Sequence, residues 1–168
     1  MSTDKNISGA QGIEKLKELA IAADMCLFAT SLSDNPIPAR PMSTRDVDEN
    51  GCIWFFSRST SNKNAEIKRN SRVQLFYSNP GSAEFLNVAG SATIIKDVAK
   101  AKELWSPWAR TWFPEGTSDP ELTLIKVTPL SVHYWDTKHN KMVSLLKIVA
   151  GAITGKEMDD GVEGEIEV

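Results

Sequence analysis

Apolar residues recur along this chain with two different periods, and the changes between them mark out the elements. Over residues 9–23, Ile13, Leu16, Ala20 and Ala23 follow a three-four spacing, with Glu14, Lys15, Lys17 and Glu18 mostly on the other side, which predicts an amphipathic helix. The pattern then shifts to short β-type runs over 25–32, 37–47, 52–57, 71–79, 84–95, 121–128 and 130–136. SDNP at 33–36 reads as a turn, and DENG at 48–51 as the reversal of a hairpin, Asn50-Gly51 being a strong signal for one. Pro38 and Pro41 cannot donate to a ladder, so their strand belongs at an edge or a bulge, with backbone groups left free for a ligand. Gly90 points to a bulge or a close backbone approach inside the 84–95 run.

Helical spacing returns in three places. A short helix over about 61–69 has Thr60 or Ser61 as its N-cap, with Ala65 and Ile67 or the Lys68 stem toward the body. A second, over 97–109, is capped by Asp97 and carries Val98, Ala101, Leu104, Trp105 and Trp108. A third is expected over 143–154, weakened by Gly151. Helices and strands do not alternate as in a βαβ unit. The reading is a mainly β (α+β) chain of about six strands, an antiparallel barrel with appended helices.

Composition narrows the setting. The 168 residues fit one domain, placed at 1–155, with 41% apolar and 24% charged residues as in ordinary soluble proteins. No apolar run is long enough for a membrane-spanning helix, and MSTDKNISGAQG lacks the pattern of a secretion signal, so a cytoplasmic protein is expected. Cys26 and Cys52 lie in apolar runs and read as buried reduced thiols; His133 and His139 lack metal-ligand spacing, and no metal is expected. The net charge of −3 is uneven: from Lys156 on, six acidic residues face one lysine, which leaves the remaining chain about +2. The 156–168 segment reads as a solvated, mobile acidic tail. The slightly basic body suits an anionic ligand. A barrel binding single-stranded nucleic acid is disfavoured by the acidic tail and the weak positive balance.

Candidate chemistry gathers between Pro36 and Asn79. Ser57, Ser59, Thr60, Ser61, Asn62 and Lys63 precede or open a helix, and hydroxyls, backbone N–H groups and a lysine there suit a phosphate. An ordinary solvated loop with a helix cap reads equally well, because the glycines of a P-loop are missing. Arg40 and Arg45 lie five apart, on opposite faces of a regular strand unless Pro41 bends it; as surface arginines they need no ligand. Core packing accounts for three of the five tryptophans, leaving others to border a planar ligand. No serine has a nucleophile-elbow context, so chemistry here would have to be a cofactor's.

The two central motifs carry a resemblance. Arg40 to Arg45 reads R-P-M-S-T-R, and Phe55-Phe56-Ser57 is followed by Ser61-Asn62-Lys63, with the DENG turn between. This order and spacing resembles the pyridoxamine 5′-phosphate oxidase-like flavoproteins, an FMN-binding split-barrel family. Tyr134-Trp135 resembles the family's aromatic–tryptophan pair, whose tryptophan reaches the flavin of the other subunit. The WFPEG…DPEL segment and the helical, acidic C-terminus are similar to its general stress protein subgroup.

The resemblance implies a six-stranded antiparallel split β-barrel with peripheral helices, forming a homodimer with flavin at the interface. Arg40, Ser61, Asn62 and Lys63 would hold the phosphate of FMN, with FAD also compatible. Pro41, Met42, Ser43, Phe56 and Ser57 would border the ribityl chain and ring, and Trp135 would come from the partner. Arg45 and Trp112 are placed on the substrate side. Departures bear on activity: counted without gaps from Trp135, the substrate-binding R-L-H-D-R of the oxidase becomes Lys141, Met142, Val143, Ser144 and Leu145, and its phosphate-loop arginine becomes Asn62. The expectation is a flavin-dependent oxidoreductase of unassigned substrate, exchanging electrons with a small molecule and not oxidising pyridoxamine phosphate. The alternative is a non-catalytic flavin-binding sensor, reservoir or regulator. Neither nucleic acid nor membrane is an expected partner.

Overall fold

The computed structural model describes residues 3–4, 7–137 and 161–167. In chain order its elements are β1 (Thr3–Asp4), β2 (Ile7–Ser8), α1 (Gly9–Ala23), β3 (Met25–Ala29), β4 (Ala39–Ser43), β5 (Asp46–Val47), β6 (Ile53–Arg58), α2 (Asn62–Arg69), β7 (Arg72–Asn79), β8 (Glu84–Ile95), α3 (Val98–Glu103), β9 (Leu122–Thr137) and β10 (Gly161–Glu167). Two 3₁₀ turns, Pro107–Thr111 and Gly116–Ser118, lie between α3 and β9.

Strands β4, β3, β7, β8 and β9 follow one another as antiparallel neighbours. The first half of β9 also pairs with β6, from Arg58 opposite Leu122 to Ile53 opposite Val127. Its second half pairs with β10, from Val132 opposite Ile166 to Thr137 opposite Gly161. β5 pairs with β6, and β1 and β2 run parallel to β10. The sheet does not close: among the described residues β4 has a ladder only with β3. Its one proline fits that edge, Pro41 lying opposite Leu27 with its missing N–H turned to no partner strand; Pro38 precedes β4, and the strand expected over 37–47 is divided into β4 and β5. The chain crosses the open seam at Thr44 and Arg45, whose N–H groups donate to the carbonyls of Asp24 and Trp54, each at 2.8 Å. Strands β3, β4, β6, β7, β8 and β9, split along this seam, flanked by helices and extended by β10 on β9, form a split barrel.

Local chemistry explains the turns. The Asp48 carboxylate accepts the Asn50 N–H at 3.0 Å and the Cys52 N–H at 2.9 Å, and Gly51 takes φ +76°, closing the DENG reversal. Asp97 caps α3 by accepting the Lys100 N–H. At Gly90 a Cβ would lie 2.7 Å from Val127 Cγ1 and 2.8 Å from the Thr128 carbonyl, and the register with β9 shifts between Ala89 and Gly90. That bulge lets β9 run through Pro129 with Leu130 as its extra residue, so the two strands expected at 121–128 and 130–136 are one strand of 16 residues.

The period of two along β6 separates two apolar clusters. Ile53 and Phe55 enter the barrel core with Leu16, Phe28, Leu75, Val88, Ile125 and Tyr134, and Phe28 meets Phe55 edge-on at 5.2 Å. On the other face Trp54 packs with Ala101, Leu104, Phe113, Leu122 and Leu124, and Phe56 and Trp105 rest against them. Trp54 and Trp105 are therefore the tryptophans in core clusters, two where three were expected; Trp108, Trp112 and Trp135 are exposed. Cys26 and Cys52 are buried and unpaired as expected, and burial, against a hydrogen bond with Tyr77, pushes the Cys26 thiol up to about 12.

Other expectations need correction. The helix over 97–109 ends at Glu103; Pro107 lacks a donor and restrains Ser106, so a 3₁₀ turn follows instead. Residues 161–167 of the acidic tail form β10, not a mobile end, because their backbone completes the ladder on β9. On α2 the buried positions are Asn64 and Ile67, and Ala65 is exposed. The helix expected over 143–154 lies outside the described residues. Among the described residues no helix is long and apolar enough to cross a membrane.

Candidate functional site

The end of β6 and the start of α2 are locked by a buried polar network. Ser57 Oγ donates to Asn64 Oδ1 at 2.6 Å, Asn64 Nδ2 donates to Thr123 Oγ1 at 3.0 Å, and Thr123 Oγ1 donates to the Ser57 carbonyl at 2.8 Å. Ser61 Oγ joins at 3.2 Å from Asn64 Oδ1 and from Ser57 Oγ. Ser57 and Asn64 are 2% and 1% exposed, so this ring fixes the loop between strand and helix through the core. Ser61 is the N-cap residue by backbone, but its hydroxyl turns to Asn64 and makes no cap hydrogen bond. The first turn of α2, which contains no acidic residue, thus keeps its partial positive charge toward the loop.

Two cations stand at this helix start. Arg40, on edge strand β4, donates from Nη1 to Thr30 Oγ1 at 2.6 Å and from Nη2 to Glu66 Oε2 at 2.8 Å, and the Thr30 hydroxyl donates to the same Glu66 oxygen. Burial pushes the Glu66 carboxyl up, but the hydrogen bonds from Thr30 and Arg40 and the charges of Arg40 and Arg69 outweigh it and hold it below its ordinary range. Lys63 is half-buried. Burial, reinforced by the Arg40 charge and opposed by Glu66, lowers its pKa. Among the described residues the carboxylate that acts on both cations is Glu66, which Arg40 already engages.

From this end a cavity of about 320 Å³ opens between β4, β6 and the 3₁₀ turn Pro107–Thr111. It is lined by Arg40, Pro41, Met42, Ser43, Arg45, Phe56, Ser57, Arg58, Ser61, Lys63, Ala109, Trp112 and Phe113. Arg40 and Arg45 reach one cavity because the chain leaves β4 after Ser43 and turns across the seam before β5. At the far end Arg45 lies over the Phe56 ring at 5.8 Å, and its Nε is buried without a hydrogen-bond partner. Arg58 holds the opposite wall: it pairs with Glu121, donates to the Trp112 carbonyl at 2.6 Å and lies over the Phe113 ring at 5.8 Å.

Of the residues singled out in the sequence, the cavity brings together Arg40, Pro41, Met42, Ser43, Phe56, Ser57, Ser61 and Lys63 with Arg45 and Trp112. It leaves out two. Asn62 is exposed on α2, and Trp135 lies in β9 beside Phe76, Phe85 and Asn87, around a separate depression. Sequence reasoning missed Thr30, Arg58, Asn64, Glu66, Ala109, Phe113 and Thr123. Glu66 carried a signal, since it stands three residues after Lys63 and so shares its helix face. Thr30, just after β3, and Thr123, in β9, are distant in sequence and carried none.

Comparison with known proteins decides the family. The family model described as pyridoxamine 5′-phosphate oxidase like matches residues 11–159. The chain belongs to the pyridoxamine 5′-phosphate oxidase-like family. Among solved structures it is similar to a candidate general stress protein 26 from Jannaschia sp. CCS1, with TM-score 0.75 and 21% identity over 94% of this chain and 96% of the other. It is also similar to the general stress FMN/FAD binding protein of Xanthomonas citri, with TM-score 0.63 and 25% identity over 76% and 92%. Protein bli-3 of Neurospora crassa is 24% identical over 112 residues, 62% of this chain; the match spans 54% of that relative's length, so the chain covers about half of it. The family's split barrel is the fold described above.

Proposed function

We propose that the cavity binds FMN, with FAD as the alternative, and that the chain works as a flavin-dependent oxidoreductase of the general stress protein type. The observation that carries this reading is the pairing of unlike ends in one cavity. A half-buried lysine and an arginine stand beside the uncapped start of α2, and Phe56, Trp112 and Phe113, with the Phe56 and Phe113 rings 6.2 Å apart, line the same cavity with Met42. A phosphate suits the first end and a planar aromatic ring the second. The orphaned Arg45 Nε is a donor that a ring oxygen or a small substrate would satisfy. Similarity to the Xanthomonas citri FMN/FAD-binding protein supports the same reading.

In this reading Arg40, Ser61 and Lys63 hold the phosphate, with Asn62 at the rim. Pro41, Met42, Ser43, Phe56 and Ser57 border the ribityl chain and ring. Arg45 and Trp112 face the substrate. When bound, flavin supplies hydride or electron exchange with a small-molecule donor or acceptor. The chain's own residues position the ring, exclude water with Phe56 and Phe113, and place a fixed positive charge at Arg45. The working form is a cytoplasmic homodimer in which Trp135 of each subunit, 39% exposed beside exposed Phe76 and Phe85, covers the partner's flavin. Pyridoxamine phosphate is not the proposed substrate, given Asn62 at its motif position; Lys141 to Leu145 lie outside the described residues.

A second reading is a non-catalytic sensor, reservoir or regulator. It is favoured by the lining itself, which among the described residues contains no His, Cys, Asp or Glu to move a proton.

The test is an absorbance spectrum of the purified protein with mass analysis of what denaturation releases. Two flavin bands and the mass of FMN or FAD are expected. A colourless protein that neither flavin reconstitutes would remove the proposal. Turnover of bound flavin with NADH or NADPH, faster than free flavin, separates the oxidoreductase from the non-catalytic binder.

A further inference from the structure

The phosphate end contains an acid that a simple anion site would not need. Glu66 lies on the same α2 face as Lys63, and its Oε2 receives both the Arg40 Nη2 and the Thr30 hydroxyl. Arg40 has five N–H donors, and Nη1 and Nη2 are each already engaged by this cluster. The side chains of Arg40 and Glu66 are 25% and 18% exposed, so the pair is partly shielded from screening. With Arg69 paired to Asp34 and Arg58 to Glu121, the charges left at this end are Arg40, Lys63 and Glu66, a formal sum of about +1, where a terminal phosphate brings roughly −1.5 to −2.

We propose that Glu66 is a resident competitor for Arg40, a carboxylate that takes the donors a ligand phosphate would use, so that flavin is held loosely enough to exchange with solution. The inference rests on the flavin reading above and adds to it how tightly the site holds its ligand. A phosphate entering beside Lys63 meets Arg40 through its remaining donors or by drawing the guanidinium away from Glu66, and in either case it works against the carboxylate's charge. Thr30, fully buried, stays as the fixed post that receives Arg40 or Glu66 whichever is released. Riboflavin, which has no phosphate, does not enter this contest. The arrangement suits a carrier or reservoir, or an enzyme that loads and unloads its cofactor, more than a site that keeps it permanently.

Glu66→Gln decides between this role and a purely structural one. The amide oxygen still accepts from Arg40 and Thr30, but the charge is gone. Loss of a charge-assisted partner should tighten FMN binding by roughly tenfold or more, with riboflavin changed by less than about twofold. Glu66→Ala should move FMN in the same direction. If Glu66 only held Arg40 in place, the Gln variant would bind FMN as the native chain does and the Ala variant would bind it less well; either result overturns the inference. Inorganic phosphate, read as a rise in Tm, separates this from the flavin reading. A larger rise in the Gln variant, with no flavin bound by either protein, would sustain the role of Glu66 and remove the flavin assignment. No difference with phosphate or FMN would overturn the role itself.

Discussion

The two ends of the cavity are built in different ways. The Arg40–Lys63 end stands on ladder and core: β4 and β6 supply the backbone, and a ring of Ser57, Asn64 and Thr123 runs through buried positions. The Arg45–Trp112 end stands on a seam crossing and a 3₁₀ turn, held by Arg58 and Glu121 at the surface, with Trp112 56% exposed. An end fixed by the core suits an invariant ligand group, and an end made of surface loops can differ from relative to relative without unfolding the barrel. In the proposed reading binding and reactivity are thus separable, the first assigned to the core-anchored end and the second to the exposed one.

Several changes would sharpen or break that division. The largest effect is expected from Arg40→Ala combined with Lys63→Ala, which removes both cations. FMN affinity should fall by about a hundredfold or more, since charge-assisted contacts to phosphate are the strong ones. Circular dichroism and Tm should remain close to native; unfolding would show instead that these side chains belong to the core. Next comes Asn64→Ala. It takes the buried amide from Ser57 and Thr123, whose hydroxyls keep only Ser61 Oγ and the Ser57 carbonyl, and should cost about 1–3 kcal/mol in urea unfolding, with FMN binding weakened as the α2 start loosens. Arg58→Ala should cost less than about 1 kcal/mol, because its ion pair is exposed. It should raise acrylamide quenching of Trp112 and leave FMN affinity within roughly threefold of native, that hydrogen bond serving only the second end. An equal loss of FMN affinity in Arg58→Ala and in the double variant would erase the distinction.

The smallest effect is in acid. The folded Glu66 carboxyl is held below its ordinary value of 4.5, so its pairing contributes stability that is full above that pH. That contribution should fade as pH drops from 4.5 through the lower folded value, and Glu66→Gln should flatten this part of the stability curve, measured by denaturant titration.

The buried end was more legible in the sequence than the exposed one. Proline at 38 and 41, the DENG reversal and the S-x-x-x-S-N-K spacing are local signals, and each maps to an edge, a turn or a loop in the fold. Asn64 was not read as buried, since an asparagine on a helix ordinarily faces water; its burial follows from Thr123, 59 residues away. Arg58 stands between Ser57 and Ser59, but its partners Glu121 and Trp112 meet it only when β9 pairs with β6. The last strands were separated at Pro129, and the bulge at Gly90 accommodates that residue within one strand. The acidic run at the end drew attention to charge, although the alternation of Glu163, Glu165 and Glu167 with Val162, Gly164 and Ile166 is a strand pattern. Trp135 is legible only as an aromatic on an outer face, because what it covers belongs to another subunit in the proposed dimer.

The central claim is that the Arg40–Lys63 end takes a flavin phosphate, and calorimetric titration of the native chain with FMN and with riboflavin tests it most directly. The two ligands share the ring and ribityl chain and differ in the phosphate alone. FMN should bind at least about a hundredfold more tightly than riboflavin. Equal affinities would contradict the account and leave the cations at this end without a ligand.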